Sequence, residues 1–363
     1  MKKVCLFCER TSSDSNLFCQ ETYCPAEMCP YILDYGEWLG DIEIIRTITI
    51  LRSSALYEAR HNKQKVLLKV AHPGLEHTER LKREATFLRD VAARKEREAS
   101  LPLLIPPYAN TTIAKDPYGR AMLREHLLYF CLFEYLEGDS LRDVLIKNSQ
   151  LWIFHVGWIM IGLASAVAFL QSRGMYHYGL SPETILVRFS EDTAAPQTLL
   201  FDLGIASDQQ HLTDNWYPAF VPPAYTAPEL IGSAPQPNYA TDVYGLGLIL
   251  YELLVGEPTF PFKLRSDNGV YESVQHNRRV RMSRVEDVKD VAELAVTAVS
   301  ATPGQRQKNA AELTEALLKT FGETPAQRKR RLPSTRTTLI ITAALLAIAF
   351  IITLGFTFIR MAQ

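Results

Sequence analysis

His177-Tyr178-Gly179-Leu180-Ser181-Pro182-Glu183-Thr184-Ile185-Leu186 is the stretch whose surroundings decide the fold of this 363-residue chain. It joins a histidine, a glycine and a Ser-Pro-Glu-Thr turn to an apolar exit, and alone it is compatible with many loops. Upstream, Trp152 to Leu170 is strongly apolar, with small residues at Gly157, Gly162, Ala164, Ser165, Ala166 and Ala168. His155 interrupts it and favours a core helix over a membrane span. Downstream, Leu199-Leu200-Phe201-Asp202-Leu203-Gly204 reads as a buried strand ending in an acidic turn. Tyr225-Thr226-Ala227-Pro228-Glu229, Thr241-Asp242-Val243-Tyr244-Gly245-Leu246-Gly247 and Thr302-Pro303-Gly304-Gln305-Arg306 then follow in order. Toward the amino terminus, Ile42 to Ile50 alternates as a strand, with a second strand expected beyond Leu51 to Ala55 and a third at Val66-Leu67-Leu68-Lys69-Val70. Leu81 to Leu88 reads as a helix carrying Glu84, and Leu128 to Glu134 as another buried strand.

In this order and spacing the elements resemble the protein kinase superfamily over residues 42–320. The resemblance implies an α+β, bilobal protein kinase fold with a small β-rich lobe and a larger helical lobe. Lys69 matches the strand lysine that contacts nucleotide phosphates, Glu84 its helix partner, and Asp202 the metal-binding carboxylate, with Leu203 in place of Phe. Glu134 to Leu141 resembles the hinge that meets adenine. Asp242 matches the aspartate that holds the catalytic loop backbone, and Arg306 the late arginine that pairs with Glu229.

The opening stretch is then similar to the catalytic loop H-R-D-L-x-x-x-N with its reactive groups removed. Gly179 stands where the family has the aspartate that accepts the substrate proton, Thr184 where it has the metal-binding asparagine, and Ser181 where serine/threonine kinases carry lysine. Pro222 replaces the threonine before A-P-E, and Tyr178 the arginine that would meet a phosphorylated activation loop. From Asp41 to Leu56 there is no glycine, although only glycine lets backbone lie over phosphates without a side-chain clash. Arg52 is the residue there that could supply charge instead. Loss of a general base alone costs about 10² to 10⁴ in rate; loss of phosphate and metal positioning removes most of what phosphoryl transfer depends on. The expectation is a pseudokinase with no catalytic residue and a degenerate loop at His177, Gly179, Ser181 and Thr184. Lys69, Glu84 and Asp202 remain as candidates to hold ATP and magnesium as a structural ligand. The alternative is a serine/threonine kinase of unusual mechanism.

The net charge of −1 and the 22% charged residues give no general nucleic-acid footprint, so no nucleic-acid partner is expected. Five of six cysteines, Cys5, Cys8, Cys19, Cys24 and Cys29, lie in the first thirty residues. Without a secretory signal before them, a reducing compartment and metal ligation are expected rather than disulfides. Residues 1–32 resemble a zinc ribbon with Cys5, Cys8, Cys19 and Cys24 as ligands and Cys29 as the alternative fourth. Such a small module folds around its ion, so the zinc is read as structural. Cys131 reads as a small buried hydrophobe.

Leu339 to Ile359 is 21 residues without a charge. A helix of that length measures about 31 Å against a hydrocarbon core of about 30 Å. Residues 339–359 are therefore expected to be a single transmembrane helix, preceded by a basic flexible linker, 322–338, with Arg328, Lys329, Arg330, Arg331 and Arg336. The positive-inside rule puts the kinase-like body in the cytoplasm and the carboxyl terminus outside. The implied role is a membrane-anchored signalling scaffold or allosteric partner that binds another protein, an active kinase being one candidate.

Overall fold

The computed structural model describes residues 2–6, 11–12, 19, 24, 29–189, 195–205, 220–232, 235–276 and 288–322. The apolar stretch 339–359 and its basic approach from 323 lie outside the described residues. Strand β1 (Lys2–Val4) pairs antiparallel with β2 (Thr11–Ser12) and with β3 (Tyr31–Ile32). Next, β4 (Trp38–Leu39) begins a six-stranded antiparallel sheet with β5 (Ile42–Ile50), β6 (Ser54–His61), β7 (Gln64–Ala71), β8 (Gly119–Leu123) and β9 (His126–Phe133), ordered β4-β5-β6-β7-β9-β8. Residues 34–40, whose Asp-Tyr-Gly-Glu run has the composition of a turn, are built into this sheet: Trp38 and Leu39 pair with Glu43 and Ile42, and Gly36 N donates to the Ile44 carbonyl at 2.9 Å.

Side chains of a strand alternate between its two faces, and this sheet needs both. On β7, Val66, Leu68 and Val70 join one apolar cluster with Val4, Ile32, Leu33, Ile42 and Tyr57. Leu67 and Ala71 join the main core on the other face, and the same parity turns Lys69 inward. The amino-terminal strands therefore cover the sheet's outer face, and Leu33 N donates to the buried Tyr57 hydroxyl at 3.0 Å. Across the inner face lies α1 (Leu75–Ala93), which buries Leu81, Glu84, Ala85 and Leu88.

Beyond β9 the chain is mostly helical. A three-stranded antiparallel sheet of β10 (Asp139–Ser140), β11 (Ile185–Arg188) and β12 (Gln197–Leu200) is followed or flanked by α2 (Leu141–Lys147), α3 (Ile153–Gln171), α4 (Tyr239–Val255), α5 (Asp267–His276), α6 (Lys289–Ala298) and α7 (Ala310–Phe321). Among the described residues α3 is the one helix long and apolar enough to cross a bilayer, yet it buries Val156, Ile159, Leu163, Ala166, Val167 and Leu170 in the core. Helix α7 runs back along it: Ala310 N bonds Gln171 Oε1 at 2.9 Å, while the Phe321 ring rests on Gly157 so closely that a Cβ there would overlap it. Helix α4 starts at a reciprocal Asn238/Thr241 capping box and ends at Gly256, φ +88°, the left-handed stop that glycine favours.

Glu229 and Arg306 bind this half together. All the guanidinium nitrogens are engaged: Nη1 and Nη2 reach the two Glu229 oxygens at 2.7 and 2.9 Å, and the Ser300, Ala240 and Ala301 carbonyls accept the rest. Its side chain is fully buried. Arg306→Ala is expected to lower stability by about 3–5 kcal/mol, since it removes a fully buried guanidinium and leaves Glu229 without its cation. Arg306→Lys should recover little of that, having no planar fork. Urea unfolding checks both, and a loss below about 1 kcal/mol for the alanine variant would contradict the assignment.

Candidate functional site

Three elements converge beneath the sheet. Lys69 comes from β7, Glu84 from α1 and Asp202 from the turn after β12, and each is at most 4% exposed. Lys69 Nζ bonds Glu84 Oε2 and lies 2.8 Å from Asp202 Oδ1. Asp202 N donates to the other Glu84 oxygen at 3.1 Å. Burial opposes ionisation of Asp202, but Lys69 and Arg80 overcome it and hold the carboxyl down at about 2. Burial pulls Arg80 down to about 10 against the attraction of Asp202. With two cations and two carboxylates the cluster is balanced, which makes its burial tolerable. Gly204 closes the turn against α1, where a Cβ would overlap the Arg80 carbonyl oxygen.

Asp202 holds φ +69° and Tyr178 φ +59°, conformations that cost about 1–3 kcal/mol and persist only where neighbours enforce them. At Tyr178 the enforcing group is Asp242, which accepts from Tyr178 N at 2.9 Å and His177 N at 3.0 Å. His177 is fully buried. Its Nδ1 accepts from Gly179 N at 3.2 Å, so Nε2 is the ring donor to the Phe201 carbonyl, also at 3.2 Å. Thr184 Oγ1 donates to the Ser181 carbonyl at 2.8 Å and accepts from Ser181 N; the hydroxyl at the asparagine position serves the loop's own backbone.

The turn at 51–53 replaces a glycine-rich loop and lies inside the cleft. His72 Nε2 meets the Leu51 carbonyl at 2.9 Å, and Ser53 Oγ donates to Asp202 Oδ1 at 3.2 Å. Arg52, read from sequence as a source of charge for phosphates, instead forms a forked pair with Asp267 of α5 at 2.6 and 2.8 Å. Neither Ser53 nor Asp267 carries a sequence signal, because the partners are 149 and 215 residues away.

A cavity of about 110 Å³ lies between this turn and the catalytic-loop stretch, walled by Leu6, Leu51, Gly179, Ser181, Thr184 and Phe220 among others. Three carboxylates reach it, Asp202, Glu183 and Asp267. Each is paired within the chain: with Lys69, with Arg142 at 2.7 Å, and with Arg52. Arg142 also binds Glu252 and the Tyr225 hydroxyl. Among the described residues no unpaired carboxylate stands beside Gly179 to accept a proton. For a magnesium nucleotide the fit is partial: Lys69 and Asp202 are groups that could hold phosphate and metal, while Ser53 and Lys69 already take up the Asp202 oxygen Oδ1.

In the amino-terminal module the sulfurs of Cys5, Cys19 and Cys24 lie within 4.8 Å of one another, Cys5 and Cys24 at 3.4 Å. Burial and the neighbouring Cys5 thiol push Cys29 up to about 11, although its sulfur is not one of the three that lie within 4.8 Å of one another. Cys8 lies outside the described residues. Soft sulfur donors at this spacing suit a tetrahedral metal ion.

A family model described as the protein kinase domain matches residues 118–329, more than half of the chain. Serine/threonine-protein kinase PkaA of Streptomyces coelicolor is 32% identical over 183 residues, which cover 50% of this chain and 32% of that protein. CBL-interacting protein kinase 15 of Oryza sativa subsp. japonica is 28% identical over 155 residues, 43% of this chain and 34% of that one. Human serine/threonine-protein kinase ULK3 is 35% identical over 122 residues, 33% and 24% respectively. The matches thus span about a third or less of these curated relatives.

Burial draws His72 and His177 down from 6.5 to about 4. The unfolded chain therefore binds more protons across that window, and stability present above pH 6.5 is lost as pH falls toward 4. The loss is about 3 kcal/mol per histidine. Asp242, raised by burial to about 6, contributes the opposite slope, so the difference between wild type and His72→Gln is the informative quantity. Urea unfolding between pH 7 and 4.5 should show a gap that changes by about one proton's slope; a constant gap would contradict a neutral buried His72.

Proposed function

The chain belongs to the protein kinase family, and from that premise we propose that it is a pseudokinase, a protein kinase fold that works by binding other proteins rather than by phosphoryl transfer. The observation that carries this reading is the state of the carboxylates around Gly179: Asp202, Glu183 and Asp267 are each paired with a cation of the same chain. A general base must sit within about 2.6–3.2 Å of the proton it takes, and a glycine offers no acceptor. The local use of the Thr184 hydroxyl and the intrusion of Ser53 on Asp202 support the same reading. Lys69 and Asp202 are the residues that would hold phosphate and magnesium if a nucleotide serves as a structural ligand.

Two further parts belong to the proposal. Cys5, Cys19 and Cys24, with Cys29 or Cys8 as fourth ligand, would hold a structural zinc whose module covers the outer face of the small-lobe sheet. The uncharged 339–359 would anchor the protein in a membrane with the kinase body on the cytoplasmic, basic-linker side. Anchoring raises the local concentration of a scaffold beside its partner, an active kinase being the class of partner most in keeping with this fold. The second reading, a serine/threonine kinase, is favoured by the names of the similar proteins.

The full chain in detergent, given labelled ATP, magnesium or manganese and generic protein substrates, is expected to transfer no label. Label that appears with wild type and vanishes with Asp202→Ala would establish the kinase reading instead. Nucleotide with magnesium is expected to raise the melting temperature only if the Lys69–Asp202 pair opens; Asp202→Ala should then abolish the shift. Metal analysis after mild purification should find one zinc per chain, lost in Cys5→Ser.

A further inference from the structure

We propose that the surface formed by Trp152, Phe154, His155 and Phe189 rests against the membrane interface, orienting the kinase body on the bilayer. This inference rests on the proposed anchor. Trp152 is 60% exposed and Phe189 43% exposed. The rings form one continuous group: Trp152 lies 5.1 Å from both Phe154 and His155, and His155 5.1 Å from Phe189. None of these contacts covers the outward faces of Trp152 and Phe189.

What points to a bilayer is the place where the chain leaves the body. Because α7 runs antiparallel to α3, its last ring, Phe321, sits on Gly157, about one turn from Phe154. The exit at Gly322 and the aromatic surface thus share one end of the helix pair. Leu318, on the last turn of α7, adds a further exposed apolar side chain, 38% accessible.

Sixteen residues lie between Gly322 and Leu339. A flexible Gly-rich chain of that length would have a root-mean-square reach of roughly 20–24 Å, and charge and proline extend a chain further. A folded body of this size has a radius of gyration of about 20 Å, so a connection of comparable reach would favour approach of the exit end of the helix pair to a bilayer. Aromatic side chains with a polar edge favour the headgroup boundary. Arg328, Lys329, Arg330, Arg331 and Arg336 in the connecting sequence would draw anionic headgroups to the same place.

The test uses the full chain in phosphatidylcholine vesicles containing phosphatidylserine, with and without lipids brominated near the headgroup. Brominated lipid should quench wild type more than Trp152→Phe, by about the emission of one tryptophan among the four in the chain. Matching thermal melts of the two proteins show that the substitution leaves the fold intact. Equal quenching of both, in protein that floats with the vesicles, overturns the docking surface and leaves the anchor standing. Failure to float overturns the anchor, and this inference with it. Protection of Trp152 from aqueous acrylamide in detergent without lipid would assign the surface to self-association and overturn it as well.

Discussion

The buried contact of Lys69 with Glu84 and Asp202 is the constraint from which the arrangement of the cleft follows. A lysine ammonium removed from water is tolerable only if its counter-charges arrive with it. They arrive from a helix and from a turn more than a hundred residues later. The requirement fixes α1 against the sheet, sets the left-handed turn at Asp202, and presents a carboxylate oxygen that Ser53 then bonds. Architecture and electrostatics are here one problem.

The same economy of charge runs through the rest of the cleft. Arg52 joins Asp267, Arg142 joins Glu183 and Glu252, and Arg306 joins Glu229, so cations of the chain occupy the acidic groups that face the interior. The interaction energy of these pairs is realised within the polypeptide, tying together segments far apart in the chain.

Much of this was legible in the sequence. The apolar run Val66 to Val70 marked the strand that carries Lys69, and the order of Glu84, Asp202, Asp242 and Arg306 gave the frame they occupy. Those signals are local, periodic or spaced along the chain. Arg52 was visible as a charge in an unusual place, but its partner was not, because a pairing across 215 residues leaves no trace in composition. The incorporation of residues 34–40 into the sheet was also hidden. Two-residue strands carry no period, and the Asp-Tyr-Gly-Glu run has a turn's composition whether or not the turn is paired. Cys29 stayed an alternative ligand for a related reason: thiol spacing along the chain does not reveal which sulfurs meet in space.

Gly204 has a consequence of another kind. Its missing side chain is what allows the turn to touch the Arg80 carbonyl, so there is no clearance between the two segments. A groove of zero clearance acts as a gauge: it registers sub-ångström displacement of α1 as a collision rather than as a loosened contact. The tolerance of that seam sets how closely α1 and the turn after β12 must move together.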